Sequence, residues 1–193
     1  MYKLCKTEQS AARQRQLEEG LLLTMAAMRY EDITVSDLCE RIGVPRKTFY
    51  RYFDSKDGAL HALLDHTLMQ YEGFNAVYLS GEARTLQREL EQFFQFWVLH
   101  KDLLDALDKS DISGMLIERA ISHALSDTVM PKRFLPKDSL EMQKHITMFG
   151  VCGLMSMVLT WHHDGYPQSA AQMARVAARL IGQPLFPNAE QYL

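Results

Sequence analysis

Cysteine is scarce. Cys5, Cys39 and Cys152 are the three in 193 residues, odd in number and far apart, with no Cys-x-x-Cys pair. Neither a disulfide framework nor a thiolate zinc site is indicated, and a reducing cytoplasm fits. Long apolar runs are missing too. Residues 146–161 are uncharged, but sixteen positions broken by Thr147, Gly150, Gly153 and Ser156 fall short of the about 20 needed to cross a bilayer. They read as a buried helix, and the N-terminus lacks the apolar core of a signal peptide. Strand signals are absent: no alternating apolar run flanks an Asn-Gly or Asp-Gly turn. No nucleophile elbow, phosphate loop or paired-carboxylate motif occurs. His61 and His66 are five apart and His162 and His163 are adjacent, so neither pair shares a helix face. No metal, no cofactor and no catalysis are expected.

The chain does have apolar residues in ordinary proportion, 47%, enough for a packed core. Its net charge is −3, which excludes bulk electrostatic binding to nucleic acid. The charge is nevertheless uneven. Residues 1–60 hold ten basic and nine acidic side chains, and residues 61–193 hold eleven and fifteen.

The positive excess converges on residues 34–57, TVSDLCERIGVPRKTFYRYFDSKD. Thr34 suits a helix N-cap, with Asp37 three residues on as its capping-box partner. Val35, Leu38, Cys39 and Ile42 then share a helical face. Gly43 can take the left-handed conformation that ends a helix, and Pro45 suits the first turn of the next. That second helix turns Arg46, Lys47, Thr48, Tyr50 and Arg51 outward, and Val44, Phe49 and Phe53 are available for its inner side. Arg46, Lys47, Arg51 and Lys56 outnumber Asp54 by three. This is a helix-turn-helix pattern, whose second helix can enter a DNA major groove. Arg and Lys can donate to guanine edges or phosphates, and Thr48 to either. The same spacing also suits a structural helical hairpin with solvated basic residues.

The segment resembles the DNA-binding domain of the TetR/AcrR family of bacterial regulators. The resemblance lies in Thr34-Val-x-Asp37-Leu, Ile42-Gly43-Val44, Thr48-Phe-Tyr50-x-x-Phe53 and Ser55-Lys56, and it covers about residues 9–64. It implies that Thr34, Tyr50 and Lys56 touch phosphates, that Arg46, Lys47 and Thr48 face base edges, and that Gly43 makes the turn. Pro45 stands where the family often has Ser, and Lys47 where a small residue is common. Gly58 and Ala59 replace a usual Glu-Leu, which lowers helix propensity at the start of the next helix.

The remaining chain reads as helices throughout. Met1 to Lys6 is a basic arm, mobile by default. A first helix is expected over 8–29, with Leu17, Leu21, Met25 and Met28 on one stripe, and a long helix from Ser55 to Tyr78. Further helices are expected over 84–100, 102–109, from an Asp111 cap to about Val129, from Asp138 or Ser139 to His163, and from a Ser169 cap to Gly182. The fold class is all-α: a three-helix helix-turn-helix domain over 1–55, then a helical regulatory and dimerisation domain over 56–193.

Two features of that second domain bear on function. Tyr71, Phe74, Phe93, Trp97, Met115, Met148 and Met155 offer adaptable apolar surface suited to a ligand pocket, though aromatics and Met at helical spacing also build plain core. Gly150 and Gly153 on one helix, with Ala170, Ala174 and Ala177 on the next, allow close helix approach. In the family such a pair forms a four-helix bundle with a second subunit; intrachain packing uses the same residues equally well. Residues 94–107, with Phe149, Gly150, Gly153, Trp161 and Gly165, resemble a C-terminal type related to a dihydroxyacetone-kinase operon activator. Taken together, these features predict a cytoplasmic homodimeric repressor on palindromic double-stranded DNA, relieved by a small apolar or amphipathic effector. The alternative is a helical adaptor or co-activator working through a partner protein.

Overall fold

The computed structural model describes residues 1–78, 85–126 and 140–183. Its helices are α1 (Glu8–Ala27), α2 (Val35–Arg41), α3 (Arg46–Tyr52), α4 (Lys56–Tyr78), α5 (Leu86–Leu99), α6 (Lys101–Lys109), α7 (Gly114–Leu125), α8 (Leu140–His163) and α9 (Ala170–Gly182). A single 3-10 turn, Tyr30–Asp32, links α1 to α2. Among the described residues there is no strand, only an isolated antiparallel bridge between Tyr2 and Phe53. The expected helix end near Val129 and the start at Asp138 or Ser139 lie outside the described residues. Among the described residues no helix is long and apolar enough to cross a membrane.

Two compact units emerge. One takes residues 1–69 with 101–120, the other 70–100 with 121–193. The first unit thus adds the start of α4, all of α6 and the start of α7 to residues 1–55.

In the first unit α1 packs on α2 and α6. Its stripe Leu17, Leu21 and Met25 is fully buried, so the amphipathic spacing does what it promises. Gly20 lies against Ile42, and a Cβ there would sit on the isoleucine side chain, so α1 and α2 approach at a glycine. Helices α2 and α3 have seven residues each, too short to hold themselves in water. They persist through burial. Leu38, Phe49 and Phe53 are wholly inside and Tyr52 nearly so, each contributing about 2 kcal/mol of transfer free energy. Gly43 has φ 67°, as the turn requires.

In the second unit α5 runs along α9. The core there joins Leu90, Phe94 and Trp97 of α5 to Met155, Val158 and Trp161 of α8 and Met173, Ala174 and Ala177 of α9. Phe94 meets Trp161 edge to face at 5.5 Å. Gly165 and Tyr166 both take positive φ, making the tight turn between α8 and α9, and Trp161 Nε1 donates to the Gln168 carbonyl across it. Ser169 caps α9 in a capping box with Gln172.

Two local expectations are corrected. Asp111 is not a helix cap: its φ is 55°, its carboxylate pairs with Arg29 at 2.9 Å, and α7 starts three residues later. The arm at residues 1–6 is docked. The Lys3 amide donates to the Tyr52 carbonyl (3.0 Å), the Asp54 amide to the Met1 carbonyl (3.1 Å), and Gln14 Nε2 to the Lys3 carbonyl (3.2 Å).

Candidate nucleic-acid interface

The helix-turn-helix is held at its entry by local chemistry. Thr34 Oγ1 accepts from the Asp37 amide (3.1 Å), and the Asp37 carboxylate accepts from the Thr34 amide (2.9 Å) and hydroxyl (2.6 Å). Those bonds hold the Asp37 carboxyl below the usual carboxylate range. Pro45 precedes α3 without any side-chain cap, as its missing hydroxyl dictates.

Helix α3 has two faces. Phe49, Tyr52 and the following Phe53 point inward, Phe49 and Phe53 with ring centroids 5.2 Å apart. Arg46, Lys47, Tyr50 and Arg51 are exposed and Thr48 is half-buried. The Arg46 guanidinium lies 6.0 Å from the Tyr50 ring centroid, at the outer edge of cation–π reach. Among the described residues Lys47 and Arg51 have no ion-pair partner. Five side chains from one short helix, all able to donate to a base edge or phosphate and one of them aromatic, form a single patch.

Lys56 stands apart from that patch. Its ammonium donates to the carbonyls of Tyr30 (2.5 Å) and Ile33 (2.7 Å) and lies 4.2 Å from the Tyr30 ring centroid. The Tyr30 hydroxyl donates to Asp57 at 2.6 Å, and burial together with that carboxylate pushes the phenol far up. Lys56 therefore staples the turn before α2 to the start of α4. Sequence reasoning did not select Tyr30, Asp57 or Tyr52. Their signal was only an aromatic and an acidic residue flanking the motif.

A polar junction lies beneath. Asp65 on α4 accepts from the Tyr2 hydroxyl (2.8 Å) and from Arg119 through two bonds (2.7 and 2.5 Å). Burial and Asp65 push the Tyr2 phenol up to about 12. One turn of chain away, the buried Glu18 accepts from His66 Nδ1 at 2.9 Å, and that bond raises the His66 pKa.

In the second unit Tyr71 and Phe74 gather on Phe96, and Phe93 meets Tyr71. The Tyr71–Phe93, Tyr71–Phe96 and Phe74–Phe96 centroids lie 5.7, 5.3 and 5.6 Å apart. Trp97 meets Phe93 and Phe96 edge-on, and His100 stacks on Phe96 at 4.0 Å. Trp97 is 1% exposed and its indole N–H has no acceptor among the described residues. Met155 is core and Met148 half-buried, while Met115 belongs to the first unit. Among the described residues no group of three or more His, Cys, Asp or Glu could hold a metal.

The small-residue face divides. Ala174 and Ala177 are buried within this one chain, on the helix that packs against α5, so they are withdrawn from the proposed subunit interface. Ala170 and Gly150 are half-buried and Gly153 exposed. The large apolar residues that α8 and α9 leave exposed include Phe149 (69% exposed), Met142, Val176, Leu180 and Ile181.

A glycine turn joining two short helices, the second with an aromatic inner face and a cationic outer face, defines a helix-turn-helix domain of the DNA-binding type. Residues 29–63 match the family described as bacterial regulatory proteins, tetR family. The matched residues are the helix-turn-helix and its immediate flanks. The chain is also similar to the HTH-type transcriptional regulator EthR of Mycolicibacterium smegmatis, 34% identical over 76 residues, which span 37% of this chain and 35% of that protein. The match thus reaches about a third of the relative's length. Two solved structures share the fold over most of both chains. One is the regulator FadR of Bacillus subtilis in complex with stearoyl-CoA (TM-score 0.55, 14% identity, 86% of this chain and 96% of that one). The other is the dihydroxyacetone kinase operon activator DhaS (TM-score 0.51, 15% identity, 88% and 93%).

Proposed function

We propose that the protein is a homodimeric transcriptional regulator that reads a palindromic operator with α3. The observation that carries this is the α3 patch: Arg46, Lys47, Thr48, Tyr50 and Arg51 face outward while Phe49, Tyr52 and Phe53 anchor the helix. In this reading Arg46, Lys47 and Thr48 meet base edges, and Tyr50, Arg51 and Thr34 meet phosphates. Lys56 supports the head from beneath. One such helix spans few base pairs, so two copies about 34 Å apart supply the affinity, and the exposed Phe149, Val176, Leu180 and Ile181 are the apolar face for the second copy. The protein acts in the cytoplasm and represses.

Relief comes from an apolar or amphipathic effector in the second unit. The support is the aromatic cluster around Phe96 and the Trp97 N–H, which has no acceptor among the described residues, since a buried donor without an acceptor costs about 1–3 kcal/mol until something accepts from it. An effector with one hydrogen-bond acceptor in an apolar body meets that requirement, and the likeness to a FadR structure holding stearoyl-CoA points toward acyl compounds. Such a ligand lowers operator affinity by its preference for the DNA-incompetent state. The test is selection of bound sequences from random duplexes, then titration of the winner against random DNA across salt. A regulator gives a palindromic consensus and a steep negative salt slope. Equal binding to every sequence refutes the reading.

A further inference from the structure

The docked arm contacts the recognition helix at a position where the sequence is unusual. The last carbonyls of any helix lack intrahelical donors. At α3 the arm supplies one, because the Lys3 amide donates to the carbonyl of Tyr52, the final residue of the helix. The Asp54 amide, just past α3, donates back to the Met1 carbonyl. Tyr2 bridges Phe53 and anchors the arm from below through its hydroxyl bond to Asp65. The arm therefore lies across the joint between α3 and α4.

It can lie there because of Gly58. This glycine sits in the first turn of α4, is buried, and donates its amide to Ser55 Oγ at 3.1 Å. A Cβ at position 58 would fall inside van der Waals contact of the Met1 carbonyl oxygen and 3.0 Å from its carbon. Both are backbone atoms, so the side chain could enter only by displacing the arm. A glycine there costs helix propensity, about 1 kcal/mol against alanine, and the three atoms nearest such a Cβ all belong to Met1.

We propose that Met1–Lys3 form the C-terminal cap of the recognition helix, seated in a slot that Gly58 leaves open, and that Tyr2 and Gly58 are positioning residues for the DNA-reading face. The consequence for DNA rests on the reading of α3 given above; the cap itself does not. With the arm seated, α3 is fixed at both ends, by Pro45 and the turn before it and by the arm after it. With the arm displaced, the Tyr52 carbonyl and the Asp54 amide lose their partners, and the outward side chains lose a common orientation.

Four proteins test this: the full chain, the chain lacking residues 1–6, and Gly58→Ala in each. Amide exchange of residues 46–58 and the ratio of operator to random-DNA affinity are measured at a temperature well below unfolding. Gly58→Ala in the full chain speeds exchange at Asp54 by about tenfold and lowers the affinity ratio by about tenfold, and removal of the arm does the same. In the armless chain Gly58→Ala changes neither and raises the melting temperature by about 2–4 °C, because only the helix-propensity gain remains. An equal effect of Gly58→Ala in both backgrounds overturns the proposal, as does unchanged exchange when the arm is removed. If the full chain fails to distinguish any DNA sequence, the regulator reading falls, while the exchange pattern, read without DNA, still decides the cap.

Discussion

The Lys56 ammonium sits 2.5 Å from the carbonyl oxygen of Tyr30 and 4.2 Å from the centroid of the same residue's ring. One side chain thus meets the Ile33 carbonyl, the Tyr30 carbonyl that also accepts from the Ile33 amide, and a π face at the turn before α2. This arrangement separates a support role from a phosphate role. Lys56→Met is expected to lower stability by about 1.5–3 kcal/mol, because it removes the ammonium from the Ile33 carbonyl and one of two donors from the Tyr30 carbonyl. It leaves the slope of log affinity against log salt unchanged. Arg51→Ala reduces that slope by about 0.9 with little effect on stability. Denaturant melts and binding isotherms at several salt concentrations check both, and a shallower slope for Lys56→Met would return it to the phosphate contacts.

Within α3 the substitutions divide by what they read. Lys47→Ala and Thr48→Ala change the preferred operator, with a discrimination loss of about 1–3 kcal/mol at the base each touches. Tyr50→Phe and Arg51→Ala weaken operator and random DNA alike. Selection of bound sequences with each variant reads this directly.

His66 gives the first unit a pH dependence. Its bond to the buried Glu18 raises its native pKa, with Asp65 adding to the rise and Arg15 and burial opposing it. A raised native pKa means that the pair stabilises fully below the unfolded value, about 6.5, and that this contribution fades as pH climbs through the native one. Melting temperature therefore falls over that window. His66→Gln flattens that part of the profile, and an unchanged profile would show that the pair carries no such linkage.

On α9 the buried and exposed residues separate packing from assembly. Ala174→Leu overfills the seam against α5 and destabilises by about 1–3 kcal/mol. Ile181→Glu, on the outside, leaves the subunit fold in place and yields monomers by light scattering. Dimers that survive charges at Phe149, Val176 and Ile181 together place the interface elsewhere.

How much of this could be read from the chain depended on how local the signal was. The capping box at Thr34 and the cap at Ser169 were legible because donor and acceptor lie three residues apart. The outward residues of α3 were legible because a seven-residue helix with Phe49 and Phe53 inside has one other face. The alanines of α9 were legible as close packing, but small size says nothing about which helix approaches, and α5 took Ala174 and Ala177. Lys56 was placed by charge, which does not reveal that backbone carbonyls surround it. The arm was hidden for a further reason: its two bonds to the end of α3 run backbone to backbone and carry no residue signature. Gly58 looked like a weak helix start, and its cause lay 57 residues earlier.

Met1 is itself exposed although its carbonyl is bound to Asp54 and abuts Gly58. Anything joined ahead of it, whether a natural extension or an affinity tag, must leave past the end of α3, within reach of whatever that helix touches. A binding constant measured with an N-terminal fusion therefore reports on the fusion as well as the head.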